Sequence, residues 1–260
     1  MVSELSGLAV ARRPRAFVRV SGADAADYLD RMVSNEVAAI PIGDASDALL
    51  LTPKARVIAP LRIWRRGEQD FLLLTEPELG ERVRAELLRM RFAAKCEVEL
   101  EEHASVLVFG GEDGIPNEDY GAPAREVLDE ELEPTLDERE LERMRIEAGT
   151  PRFGAEIDDR VLPAEAGLTK RAISFTKGCY PGQEPIARLH HRGHVNRSLR
   201  RLALDGGAVP APETELSYEG KPVGRITSAV PGLALAYVRT EVPADATLSL
   251  SSGGVARPLP

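Results

Sequence analysis

The spacing of apolar positions changes several times along this chain, and each change predicts an element. Residues 16–21 alternate apolar and polar and read as a strand. Tyr28, Leu29, Met32 and Val33 then recur at helical spacing, and Ser21 followed by Asp24 resembles a capping pair with Asp in place of Glu or Gln. Residues 47–52 and 56–65 read as strands around the turn Pro53-Lys54-Ala55, and 70–75 as a third. The amphipathic stretch 78–92 puts Leu79, Val83, Leu87 and Met90 on one side, which predicts a helix packed on that sheet. Residues 96–100 and 105–109 read as further strands. The Gly/Pro/acid-rich stretch 110–133 reads as surface loop with a short ordered piece near 124–128. A second strong helix is expected from Thr135, which has capping-box spacing to Glu138, up to Gly149, with Pro151 preventing continuation. Residues 172–176 read as a strand, and a helix can begin after Pro181 with Pro185 confined to its first turn.

From Arg197 the texture becomes short strands separated by turn residues: 199–204, 214–218, 222–228, 233–238 and 247–250. The pattern therefore predicts an α+β body over residues 1–195 and an all-β module, a small barrel or sandwich, over 196–260. No internal repeat or low-complexity tract interrupts this division.

Composition narrows the possible roles. A hydrophobic content of 43% with 29% charged residues is ordinary for a globular core. The first thirty residues lack a secretory pattern, because Arg12, Arg13 and Arg15 precede a short and charged apolar run. No apolar run approaches the ~20 residues needed to span a bilayer, so a cytoplasmic protein without membrane contact is expected. A net charge of −9 argues against nucleic acid as a direct ligand. One region is different: Arg188, His190, His191, Arg192, His194, Arg197, Arg200 and Arg201 make a cationic stretch that suits an anionic small molecule.

Candidate chemistry centres on Lys177-Gly178-Cys179-Tyr180-Pro181-Gly182-Gln183-Glu184. One reading is a structural turn before a helix, its cysteine packed inward. The other is a thiolate at Cys179 favoured by Lys177 and a helix N-terminus, able to bind metal or do redox chemistry. Cys96 and Cys179 alone are too few for a disulfide framework, a metal knuckle or a four-thiolate cluster. Glu147 lies in the last turn of its helix, where the helix dipole disfavours a negative charge. It either pairs with Arg143 on a solvated face or accepts two N–H donors from a planar ligand such as a pterin. His190 and His194 have i, i+4 spacing but no evident third ligand, so no metal site is expected. Phosphate-loop, dinucleotide and nucleophile-elbow motifs are lacking.

Six segments in order resemble the YgfZ family of folate-binding proteins, relatives of the T-protein aminomethyltransferases of the glycine cleavage system. They are residues 17–25; Val33-Ser34-Asn35-Glu36-Val37, with Glu36 where the family has Asp; 145–154, which contains Arg145-Ile146-Glu147-Ala148-Gly149; 163–168; 177–184 with Ala187-Arg188; and Pro222-Val223-Gly224-Arg225-Ile226-Thr227-Ser228. The resemblance implies ferredoxin-like α+β lobes in a ring-like arrangement, a small C-terminal β-barrel, and folate in the central opening. It implies tetrahydrofolate or a one-carbon derivative as cofactor, held by Glu147 at the pterin and Arg188 at the glutamate tail, with Asn35 and Tyr180 as further cofactor contacts. Lys177 and Cys179 match the family's functional pair. The implied role is folate-dependent support of iron–sulfur enzymes or cluster carriers, with effects on tRNA modification.

One departure bears on activity. T-proteins carry paired aspartates on a strand that here reads Arg56-Val57-Ile58-Ala59-Pro60-Leu61-Arg62. Neither Ala59 nor Pro60 can exchange a proton, so methylene transfer from a lipoyl carrier is not expected. A divergent folate-dependent one-carbon transferase or demethylase is the alternative, and it requires an acid elsewhere near the folate. A protein-interaction scaffold with a vestigial folate site is a third reading.

Overall fold

The computed structural model describes residues 8–206 and 208–260. Its centre is a five-stranded antiparallel sheet in the order β3(Ala45–Leu51), β4(Val57–Gly67), β5(Asp70–Thr75), β2(Ala16–Ser21), β6(Glu97–Glu101). Helices α1(Ala25–Met32) and α2(Gly80–Met90) cover one face. The apolar run of β5 explains why both faces are dry. Phe71 and Leu73 pack with Tyr28, Leu29, Val83 and Leu87 under the helices, while Leu72 and Leu74 join Phe17 and Ile115 on the other side.

A second sheet orders as β1(Ala9–Arg12), β7(Ser105–Phe109), β9(Ala124–Leu128), β8(Ile115–Asn117), with α3(Glu138–Ala148) packed on it through Leu141 and Met144. After the short α4(Thr169–Ala172) and α5(Gln183–Arg192), the chain enters a closed barrel. Around the barrel run β10(Arg197–Asp205), β13(Leu233–Arg239), β12(Lys221–Val230), β11(Glu215–Tyr218), β14(Leu248–Leu250) and β15(Val255–Pro258). Closure leaves this small module no free sheet edge. Tyr237 of β13 anchors it to the body by donating its hydroxyl to the Glu156 carbonyl at 2.8 Å. Among the described residues no helix is long and apolar enough to cross a membrane.

Most of the expected elements are present, and the differences have local causes. The Ser21/Asp24 cap does not form, because Ser21 ends β2 and the Asp24 carboxylate accepts the Lys95 N–H at 2.7 Å. The capping box of α3 is Asp137 with Glu140, two residues later than Thr135/Glu138; the Thr135 hydroxyl instead accepts the Val10 N–H of β1 at 2.9 Å. Gly149 closes α3 in the left-handed conformation at φ 74°. Residues 172–176 form no strand. Ser174 bonds through its backbone N–H to Ser34 O and through its hydroxyl to Glu36 Oε1, so local polar bonds replace a ladder. The stretch read as loop at 110–133 contains β8 as well as β9, and β1 and β15 lack a period that announces them.

His103 lies between β6 and β7, with its ring nitrogens 2.7 Å from Asp129 Oδ2 and 3.0 Å from Glu101 Oε2. Partial burial opposes its positive charge, but the two carboxylates outweigh burial and raise its pKa. A raised folded pKa contributes stability that is full below the unfolded value of about 6.5 and is lost as pH rises through the folded value. The stability advantage of the native protein over His103→Ala, measured by urea unfolding, is therefore expected to be larger near about pH 5.5 than near about pH 9. An advantage that grows with pH would overturn this linkage.

Candidate functional site

An opening of about 1090 Å³ lies where the two sheets, α3 and the barrel meet. Leu49, Leu61, Leu74, Tyr120 and Ile157 give it apolar walls, and Val230 and Pro231 of the β12–β13 turn close one side. Arginines outnumber carboxylates on its lining.

Its polar wall is backed by a connected network. Glu126 is fully buried and accepts from Arg15 Nη2 at 2.6 Å, Arg15 Nε at 3.1 Å, Asn117 Nδ2 at 2.6 Å and Arg62 Nη1 at 3.4 Å. Burial alone would raise its pKa, yet Arg15 and then Arg62 bring it down to about 2. Arg62 continues to Asp47 at 3.0 Å and Asp119 at 3.2 Å, and Arg171 binds the same two carboxylates. Burial likewise works against the charge of Asp119, and Arg62 and Arg171 overcome it, holding its pKa well below the usual range. Arg13 grips Glu76 through two bonds of 2.7 and 3.0 Å, but its buried Nε–H finds no partner among the described residues.

Pro60 lies on this wall and Ala59 is fully buried behind it. Pairing between β4 and β5 covers Arg62 to Gly67, so Pro60 stands outside that ladder, and its carbonyl accepts the Thr75 hydroxyl at 2.8 Å. Of the two positions where paired acids were sought, Pro60 faces the cavity without an ionisable group, and Ala59 packs on the helix-covered face of the sheet.

The cysteine segment lies behind the same wall. Gly182, at φ 84°, presses its backbone on the β3–β4 turn, where an added Cβ would lie 2.7 Å from Thr52 O. Cys179 is exposed before α5. Lys177 turns inward: its ammonium donates to Asn35 O at 2.6 Å and Val33 O at 3.0 Å, and lies 3.4 Å from Asp30 Oδ1. Burial lowers its pKa, against the opposing pull of Asp30. Among the described residues no hydrogen bond joins Lys177 to Cys179, so the expected activation of the thiol by this cation has no direct contact behind it.

Asn35 connects the two regions. Its side-chain nitrogen reaches Asp47 O at 2.8 Å, Ser46 Oγ at 3.2 Å and Arg171 O at 3.3 Å, all behind the cavity wall. Next to it, the Ser34 hydroxyl donates to Ala172 O at 2.6 Å and accepts the Leu49 N–H at 2.8 Å. The loop 33–36 thus holds the cavity wall and the Cys179 segment together.

Comparisons with known proteins agree with this architecture. The family described as CAF17, C-terminal beta-barrel domain matches residues 196–257. The tRNA-modifying protein YgfZ of Yersinia enterocolitica is 25% identical over 242 residues, covering 78% of this chain and 73% of that protein. The mouse iron-sulfur cluster assembly factor IBA57, mitochondrial, is 25% identical over 274 residues, covering 87% and 76%. The crystal structure of the glycine cleavage system aminomethyltransferase T from Bartonella henselae superposes with a TM-score of 0.81 at 19% identity, covering 97% of this chain and 84% of that one. The chain is similar to YgfZ-type proteins and shares the fold of the aminomethyltransferase T-protein.

The residues expected to form a YgfZ-type site are only partly assembled. Lys177, Asn35 and Tyr180 cluster, with the Lys177 ammonium 5.6 Å from the centre of the Tyr180 ring. Tyr180 packs in the core cluster that holds Leu49 and Leu51, behind the cavity lining and not on it; burial pushes its pKa up to about 12, and its hydroxyl has no partner among the described residues. Glu147 is also off the lining. At about 100° per residue it is turned roughly 140° from Glu142, which does line the cavity. Its carboxylate stands at the rim, 3.7 Å from the lining residue Arg143. Arg188 is elsewhere, on a second cavity of about 560 Å³ under α5. His190 stacks on Phe175 with ring centres 4.1 Å apart.

Sequence reading missed Asp47, Arg62, Asp119, Glu126 and Arg171. The available signal was Arg62 within the apolar run of β4, since a charge in a strand buried on both faces needs a partner. Gly182→Ala is expected to destabilise the protein by about 1–2 kcal/mol or more, through the left-handed backbone and the Thr52 clash. An unchanged urea midpoint would show that the β3–β4 turn yields freely.

Proposed function

We propose that this chain is a tetrahydrofolate-binding accessory protein that supports the assembly or repair of iron–sulfur enzymes, without aminomethyltransferase activity. YgfZ and IBA57 relatives indicate a role in iron–sulfur cluster work or tRNA modification. The folate half of the proposal rests on the cavity. Its volume suits a ligand of folate's size, its apolar walls suit a flat ring, and its surplus arginine N–H groups suit the carboxylates of a glutamate tail. Arg13 contributes a buried donor with no present partner among the described residues.

The pterin also needs an acceptor for two N–H donors. Glu142 is already engaged, with both oxygens bonded to Arg145 at 2.7 and 2.9 Å and one also to Arg152 at 3.2 Å. Among the described residues the Glu147 carboxylate has only Arg143 at 3.7 Å, beyond hydrogen-bond range. Capacity therefore favours Glu147, as the family resemblance does. Asn35 and Tyr180 act from behind the wall, by fixing its shape. In this reading residues 1–195 hold the ligand, and residues 196–260 close the cavity through Val230 and Pro231.

When bound, tetrahydrofolate supplies a one-carbon carrier. The chain's own residues bind and orient it, and Pro60 at the wall provides no group to exchange a proton. Cys179 stands exposed on the neighbouring turn as the thiol available to an iron–sulfur client. Lys177 holds the segment carrying that thiol in place.

Calorimetric titration with tetrahydrofolate is expected to show at least about tenfold weaker binding by Glu147→Ala, from loss of a charge-assisted bidentate acceptor. Unaltered affinity would remove Glu147 from the pterin site. In a YgfZ-deficient bacterial strain, Cys179→Ala is expected to fail to restore iron–sulfur enzyme activity while binding tetrahydrofolate normally. Full rescue would exclude the thiol from the function.

A further inference from the structure

The second cavity leaves unexplained chemistry. Its interior is apolar, formed by Leu162, Pro163, Ile173, Ile186, Leu189 and Val195. Its mouth carries Arg188, His190, Arg192 and His194, all exposed, and no carboxylate lines it. Elsewhere arginines are commonly matched to acids, as in the networks of Arg13, Arg15, Arg62, Arg66, Arg145 and Arg171. Arg188 and Arg192 make no ion pair and no side-chain hydrogen bond among the described residues, in a chain whose net charge is −9. Glu184, one turn before Arg188, is exposed and forms no ion pair with it within 4.0 Å.

Such an arrangement has a directional logic. Unmatched guanidinium groups in an acidic protein hold a local positive potential that draws anions. An apolar chamber of about 560 Å³ behind them is within the size range of small-molecule sites. Guanidinium N–H groups present the donors a carboxylate accepts in pairs. The stacked pair of Phe175 and His190 forms one flat lip of the opening.

We propose that this cavity is a binding site for an amphipathic organic carboxylate, with its apolar tail in the chamber and its carboxylate at Arg188 and Arg192. The site is separate from the large cavity, and Arg188 belongs to it rather than to a folate tail.

The test is calorimetric titration of the full chain with hexanoate, octanoate and decanoate, and with the neutral decanamide. One site is expected, tightening about fourfold for each added methylene and preferring decanoate to decanamide at least about tenfold. Arg188→Glu/Arg192→Glu, two exposed positions, is expected to weaken decanoate at least about tenfold with an unchanged unfolding midpoint. Ala164→Phe, which fills the chamber from its wall, is expected to remove the chain-length dependence. Decanoate binding is expected to persist in saturating tetrahydrofolate, so failure of the folate reading leaves this result standing. Lack of decanoate binding, equal affinity for decanamide, indifference to the double substitution, or displacement of decanoate by tetrahydrofolate would each overturn the proposal.

Discussion

The architecture around the large cavity depends on the compensation of one buried charge. Glu126 has no access to solvent and sits on β9 of the second sheet, while its partners come from the segment before β2 (Arg15) and from β4 (Arg62). An isolated carboxylate in that position would be strongly disfavoured, so the two sheets are held at the separation at which both guanidinium groups reach it. Removal of one partner from such a group typically costs about 3–5 kcal/mol, because the remaining charge stays buried. Arg62 and Arg171 extend the same constraint through Asp47 and Asp119 to α4. The position of the cavity wall is therefore set by electrostatic pairing, and its apolar faces fill the space between.

A second constraint places an exposed thiol beside that wall. Lys177 and Asn35 act as a pair of staples, one taking the carbonyls of the loop 33–36 and the other reaching Asp47 and Arg171. The lysine that sequence spacing presented as a cation for Cys179 is occupied by backbone oxygens and Asp30. Its contribution is positional, and Cys179 remains exposed because the turn is pinned at Lys177 on one side and Gly182 on the other.

The elements legible in the sequence were those with an intrinsic period or a local stop signal: the run of β5, the stripe of α2, Gly149 after α3 and the short strands of the barrel. β1 was illegible because Ala-Val-Ala-Arg becomes a strand only by pairing with β7, a hundred residues on. The residues 172–176 misled for the opposite reason, since apolar character suggested a ladder where Ser174 bonds to the loop 33–36. At the candidate site the segments were legible and their facing was not. Glu147 and Arg188 lie in recognisable motifs, yet helix rotation sets one at the rim and the other on a different cavity. The charged wall was hidden because its members are scattered from Arg15 to Arg171, and only tertiary pairing makes them a set.

That scattering has a kinetic consequence. The bond from Arg62 to Glu126 spans 64 residues, and the bond from Lys177 to Asn35 spans 142. Contacts so distant in sequence close only after the loop entropy between them has been overcome, so the wall, like the β1–β7 pairing of Ala9 with Phe109, depends on non-local closure. Any ligand of the cavity therefore binds the completed chain alone, and its presence draws the folding equilibrium toward completion by mass action.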